Sequence, residues 1–475
     1  MSEKRGRGSL VHSRVPTGTM RSMVGWPRAV QANEPRPLFP ALLGVAVALA
    51  LWVGCRPARE VSEEAAPLPL VDSDSLEDGA DVDCWPGFRG PGAQGIAPGG
   101  KPALHFNQSE GFRWKVEVPG DGWSSPVVCK DRVLLTSALD QTDPPTLAVL
   151  CYDRADGRLV WQADAGQAAG SSHNKNGYAS ASVVTDGVRI VAFFGAAGLF
   201  CYDLDGKPLW QADLGNLDHK WGTASSPVLH GDLVIQLCES EQDSYLGAFD
   251  KATGERRWRT PRAKQGCWST PVVIEADTDD GGKRTEIVVN GSGAAGGDRS
   301  VTAYAIDDGR QLWQVRGMTE WVSPTPMVRG GLVFCTSGRN GPILAIRPGG
   351  EGDVSGTRLV WKLHRGGPYV PSGVVYRNRL YVVTEPGFLA CYNAGDGQQV
   401  WRTRVRDTFT ASLVAAAGRI YATSERGRVY VFAAGDAAEM LAENAMGARC
   451  QATPAVAGGE LFIRTAKHLY CIPGE

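Results

Sequence analysis

Residues 151–161 read CYDRADGRLVW, and residues 201–210 read CYDLDGKPLW. Each is the end of one strand, a tight Asp-Gly turn, and the start of a second strand that finishes on tryptophan. The phrase returns with substitutions, its closing tryptophans falling at Trp161, Trp210, Trp258, Trp313, Trp361 and Trp401, with Leu441 in the seventh place. A spacing of roughly 40 to 55 residues suits units of four short strands.

A second landmark recurs out of phase with the first: GWSSPVV from Gly122, GYASASVV from Gly177, WGTASSPVL from Trp221, CWSTPVV from Cys267, WVSPTPMV from Trp321, YVPSGVV from Tyr369, FTASLV from Phe409 and CQATPAV from Cys450. Between landmarks, stretches such as GRIYATSERGRVYVFAAGD (418–436) alternate apolar and polar residues and break at a glycine. Such four-stranded units cannot cover their own faces, so neighbours must stack, and closing the stack into a ring protects the sheet edges. After Cys450 the chain holds only three further strands, whereas FRWKVEV, from Phe112, resembles the last strand of a unit lacking its first three. The expected fold is therefore all-β: an eight-bladed β-propeller of four-stranded antiparallel blades, closed by an N-terminal strand that completes the C-terminal blade.

The small–aromatic–Asp, Gly and Trp phrase resembles the repeat of pyrroloquinoline quinone (PQQ) type propellers over residues 112–475. WPGFRGPGAQG, from Trp85, and LFIRTAKHLYCI, from Leu461, resemble uncharacterised envelope members of that superfamily, among them BamB-like proteins. The resemblance implies that Trp114, Trp161, Trp210, Trp258, Trp313, Trp361 and Trp401 dock blade against blade. A docked indole buries a large apolar area and offers its N–H to a backbone carbonyl, while Asp and Gly supply the turn. The phrase is thus structural rather than catalytic.

The chain has 475 residues, 43% hydrophobic and 21% charged, with a net charge of −2, which gives no reason to expect a nucleic-acid partner. Residues 1–55 combine a basic leader with the apolar run LFPALLGVAVALALWVGC, from Leu38, the order of a secretion signal or membrane anchor. LWVGC resembles a bacterial lipobox, which would make Cys55 a lipidation site; Trp52 departs from that pattern, and an uncleaved anchor or ordinary cleavage also accounts for the segment. Each reading exports the remainder to the cell envelope, as a periplasmic or outer-membrane lipoprotein if Cys55 is lipidated. Residues 56–83 are acidic and proline-containing, the composition of a disordered tether, and residues 84–475 form the propeller.

There are eleven cysteines. Aligning the repeat puts Cys151, Cys201, Cys391 and Cys471 at one small, buried position, filled elsewhere by Ala248, Ala305, Ala345 and Val431. A disulfide involving Cys84, Cys238, Cys267 or Cys450 stays open. No Cys-x-x-Cys-His motif for haem attachment occurs. Around Ile274, IEADTDDGGKRTE lacks the spacing and downstream Glu of an EF-hand and reads as a solvated hairpin turn.

The second landmark carries an aromatic series, Trp123, Tyr178, Trp221, Trp268, Trp321, Tyr369 and Phe409, at the start of the strand expected to be innermost. Polar neighbours His173, Lys175, Asn176, His219, Lys220 and Glu320 lie just upstream. The series reads either as a ligand- or partner-binding ring at the channel mouth or as packing between blades. Isolated histidines in separate blades make a poor metal site, so no metal is expected.

Two functions compete. One is a non-catalytic, membrane-tethered scaffold, BamB-like, binding an envelope protein or small ligand and needing no cofactor. The other is a quinoprotein oxidoreductase acting on alcohols or sugars, which would require PQQ and Ca2+. The absence of a Cys-Cys pair and of an acidic cluster in repeat phase favours the first.

Overall fold

The computed structural model describes residues 83–140, 142–264, 266–291 and 299–475. The leader with Cys55, and all of the tether but Asp83, lie outside these residues. Among the described residues no helix is long and apolar enough to cross a membrane.

Eight sheets follow one another along the chain. Blade 1 contains Val127–Cys129, Arg132–Leu139, Thr146–Asp153 and Leu159–Gln167, paired antiparallel in that order. The first strands of successive blades, such as Met327–Arg329 and Val374–Tyr376, adjoin each other around the axis and are innermost. Middle strands are buried on both faces; in Arg132–Leu139 every residue after Arg132 is buried. Sandwiching between two neighbouring blades is why these strands read as continuous apolar runs rather than strict alternation. Outer strands such as Leu159–Gln167 meet solvent and do alternate in part.

The ring closes as the repeat predicts. Trp114–Glu117 pairs antiparallel with His468–Ile472, Trp114 opposite Cys471 and Glu117 opposite His468, so the eighth blade takes its outermost strand from the N-terminal side. Ion pairs reinforce the seam: the Glu475 carboxylate meets Lys101 at 2.6 Å and Arg419 at 3.0 Å.

Six of the predicted docking tryptophans make the same contact. Trp114, Trp161, Trp210, Trp258, Trp361 and Trp401 donate their indole N–H to Arg154, Leu204, Lys251, Ile306, Ala394 and Gly435 carbonyls of the next blade, at 2.8–3.0 Å. Most of these rings lie on a turn glycine: a Cβ on Gly206 would sit 2.6 Å from Trp161, and Gly206 has φ +80°. Trp313 differs. It is fully buried and donates instead to the Glu286 carboxylate of its own blade, at 2.7 Å. The insertion at 347–358 has replaced the turn it would have docked on, and Gly352–Asp353 from that insertion adds a parallel fifth strand beside Gln311–Arg316.

Two alignments shift by the register. The blade-4 residue facing its tryptophan is Ala303, not Ala305. In blade 7 the tryptophan's place belongs to Ala442, opposite Val431; Leu441 falls in the bulge because the preceding turn is longer. The described cysteines are all free thiols. The Ile274 region is the expected hairpin, Val272–Asp277 paired with Lys283–Asn290.

Candidate functional site

Each landmark places a hydroxyl at the start of an innermost strand, and these hydroxyls join the blades. The Ser125 N–H donates to Ser182 Oγ at 2.9 Å, Ser182 to Ser226 at 3.0 Å and Ser226 to Thr270 at 3.1 Å. The circuit resumes with Thr325 to Ser372 at 2.9 Å, Ser372 to Ser412 at 3.0 Å, Ser412 to Thr453 at 3.0 Å and Thr453 back to Ser125 at 3.1 Å. Between blades 4 and 5 a backbone contact replaces the hydroxyl: the Trp268 N–H donates to the Val322 carbonyl at 2.8 Å. Every oxygen in the circuit except that of Thr325, which follows the break, accepts a backbone N–H, which leaves its own proton free to be donated.

A segment absent from the repeat crosses the channel below this circuit. Cys84–Trp85 pairs with the innermost strand of blade 1, and Ile96–Ala97 runs parallel to that of blade 7. Between them Arg89 is fully buried, donating to the carbonyls of Ala93 (3.0 Å), Gln94 (2.8 Å), Gly373 (2.6 Å), Leu413 (3.3 Å) and Ser372 (3.5 Å). Burial pulls the pKa of the Arg89 guanidinium down to about 9. The Gln94 side-chain oxygen accepts from the Val328 N–H at 2.6 Å, and the Pro86 carbonyl from Thr185 at 2.8 Å. The segment is a plug tied to blades around the ring, with Phe88 turned into the space it closes.

Above the plug lies a funnel of about 450 Å³, within the range usual for ligand sites. Trp123, His173, Lys175, Asn176, Trp221, Trp268 and Tyr369 line it. Trp221 stands at the centre of an aromatic group, 5.8 Å from Trp268, 5.2 Å from Trp321 and 5.5 Å from His219. Trp321 therefore backs the wall rather than forming it. His219 is buried behind Trp221 and Trp268, and that burial depresses its pKa below the ordinary imidazole value. Lys220 lies over the Trp221 ring at 4.6 Å, and Glu320 pairs with Arg299; neither borders the funnel. Tyr178, half-buried, packs with the core between blades 1 and 2. Phe409 is fully buried between blades 6 and 7 against Tyr430, so at that place the packing reading applies.

The sequence reading missed the charged half of the wall. Glu425 meets Lys175 at 2.9 Å, and the equivalent glutamate of the preceding blade, Glu385, accepts the Tyr369 and Val370 N–H groups at 2.7 and 2.6 Å. Burial raises the Glu385 pKa above the usual carboxylate value, with those N–H groups opposing the shift. Arg339 lies 5.3 Å from the Tyr369 ring and 5.8 Å from that of Trp321, and Arg449 lies 5.0 Å from Trp123. The signal was present in sequence: Glu385 and Glu425 each stand two residues before a hairpin glycine, Gly387 and Gly427, at the same point of the repeat.

A family model described as "Outer membrane protein assembly factor BamB" matches residues 97–282, 242–367 and 350–470. The chain belongs to that family. BamB of Yersinia pestis is 24% identical over 268 residues, 53% of this chain and 61% of its own length; the match thus spans about three fifths of that relative. The BamB structure from Moraxella catarrhalis superposes with a TM-score of 0.55 at 12% identity, covering 76% of this chain and 98% of that one. A quinohemoprotein alcohol dehydrogenase from Comamonas testosteroni gives 0.63 at 12% identity, covering 83% and 81%. Likenesses this remote establish a common propeller, in BamB-type and quinoprotein chains alike, and nothing of its chemistry.

Proposed function

We propose that this chain is a non-catalytic scaffold of the cell envelope, exported and held at a membrane through its N-terminal segment, which binds a partner or small ligand at the funnel mouth. The observation carrying the proposal is a funnel closed at one end by the plug and lined at the other by Trp123, Trp221, Trp268 and Tyr369 with cations beside them. Half-exposed indoles next to arginine are the side chains that most often anchor protein contacts. Family membership supports the reading, since the relative's name describes outer-membrane protein assembly.

The quinone alternative needs calcium as well as PQQ. Calcium requires several convergent oxygens, but Glu425 is engaged by an ammonium and Glu385 by two backbone N–H groups. Among the described residues no group of three His, Cys, Asp or Glu could hold a metal. These existing engagements of Glu425 and Glu385 support the scaffold reading over the quinone one.

The test is a pull-down from solubilised envelope with the full chain as bait, comparing it with the Trp221→Ala, Trp268→Ala double variant. Loss of a retained partner, with the melting temperature unchanged, is the expected outcome. Equal retention by both proteins would move the binding surface elsewhere. Dye reduction with alcohols after addition of PQQ and Ca2+ would replace the scaffold reading with the oxidoreductase one.

A further inference from the structure

The plug enters the ring at Cys84, and there two sulfurs face each other. In the antiparallel pairing of Cys84–Trp85 with Val127–Cys129, Cys84 is directly opposite Cys129. Directly opposed residues hold their Cβ atoms about 4.5–5.5 Å apart, close to the roughly 3.5–4.5 Å that a disulfide requires. The interaction of the two thiols draws Cys129 below the ordinary thiol value and, with burial, pushes Cys84 above it.

The surroundings suit thiol chemistry. Arg154 donates to the Asp83 carbonyl at 3.5 Å and the Lys130 carbonyl at 3.1 Å while ion-paired with the Asp83 and Glu460 carboxylates, and Lys130 Nζ donates to the Gly187 carbonyl at 3.1 Å, so charged groups of both signs lie beside the sulfurs. Lys130 favours the thiolate, the attacking form, at Cys129, against the opposing charge of Asp186 and Asp83. Cys84 is partly exposed and gives an external reagent access, whereas Cys129 is buried. By contrast, Cys151, Cys201, Cys391 and Cys471 each oppose a tryptophan within their own blades.

We propose that Cys84 and Cys129 close as a disulfide that staples the plug to the innermost strand of blade 1. The oxidant is a small-molecule or protein disulfide. One cysteine thiolate attacks a sulfur of that disulfide, forming a mixed disulfide and releasing one thiol. The second thiolate attacks the mixed disulfide at the protein sulfur, forming the Cys84–Cys129 bond and releasing the other thiol. The two cysteine protons end on the released thiols, and the oxidant takes up two electrons. The covalent loop so closed runs from 84 to 129. It contains Arg89, the whole plug and the strand Trp114–Glu117 of the shared blade, so one bond ties down both devices that close the propeller. Cross-linking a loop of this length restricts the unfolded chain more than the folded one.

The full chain is incubated with oxidised glutathione, unfolded, alkylated and digested. A peptide joining Cys84 to Cys129, and two fewer alkylated thiols than in the reduced protein, are expected. Limited proteolysis within 86–113 should slow on oxidation in the wild type. In Cys84→Ser, whose replaced side chain is partly exposed, and in Cys129→Ser, oxidation should leave that rate unchanged. Both thiols remaining alkylatable under oxidant, or Cys84 joined to any other cysteine, would overturn the proposal.

Discussion

Trp161 shows what a single residue of the repeat contributes. Its indole lies on Gly206 of the next blade and donates to the Leu204 carbonyl, so packing and hydrogen bonding act at one place. Trp161→Ala should lower unfolding free energy by about 3 kcal/mol, as large-to-small changes of aromatic residues do, read from chemical denaturation. Gly206→Ala should also destabilise, because its Cβ would overlap the indole and L-residues rarely adopt φ near +80°. The docking was readable in sequence because one geometry repeats. The exception, Trp313, was not: its partner turn is displaced by an insertion whose path depends on the neighbouring blade.

Glu475 acts at the same scale with a different pH dependence. Hydrogen bonds from Arg419 and Lys101 hold its carboxyl at about 2, against an ordinary value of 4.5. The unfolded chain therefore binds this proton more tightly than the folded one, and the clamp's stabilisation is complete above about pH 4.5 and lost as pH falls toward 2. Glu475→Gln should lower the melting temperature slightly at pH 7, the side chain being one-third exposed and screened by solvent. The gap between variant and wild type should narrow in melts at successively lower pH.

Among the elements, the plug departs furthest from the repeat. Its backbone makes only short pairings at Cys84–Trp85 and Ile96–Ala97, and the guanidinium of Arg89 holds the middle. Arg89→Ala would leave several buried carbonyls without a donor, at a cost of about 1–3 kcal/mol for each such group. The expected result is protease cleavage within 86–97 while the blades stay folded. Resistance equal to wild type would show that the flanking pairings suffice. WPGFRGPGAQG stood out in sequence as a motif, but its role did not, because the blade partners of Arg89, Ser372, Gly373 and Leu413, are backbone carbonyls about 280 to 320 residues away and carry no side-chain signature. The funnel wall divides the same way: the indoles stand at one repeat position, whereas the pairing of Lys175 with Glu425 joins blades 2 and 7 across the opening.

At the scale of the whole molecule, closure makes distant segments interdependent. Trp114–Glu117 supplies the outer strand of a blade whose other strands lie beyond Ala455, and Thr453 completes the hydroxyl circuit on Ser125. Deleting Trp114–Glu117 should therefore cost more than one blade's packing, exposing the outer face of His468–Ile472 and unfastening the seam. A lowered melting temperature with a broadened transition is expected in calorimetry.

The sequence alone determined the number of blades, their strand content, the shared eighth blade and most of the docking tryptophans. All of these follow from a local pattern repeated with period, and each copy makes the same contact with its neighbour. Only the tertiary structure decided which aromatic rings face open space, that Phe409 faces none, that a plug closes the channel, and that Cys84 meets Cys129. Those outcomes depend on non-repeating segments converging on a central axis. Their contacts span the chain, and no local period encodes them.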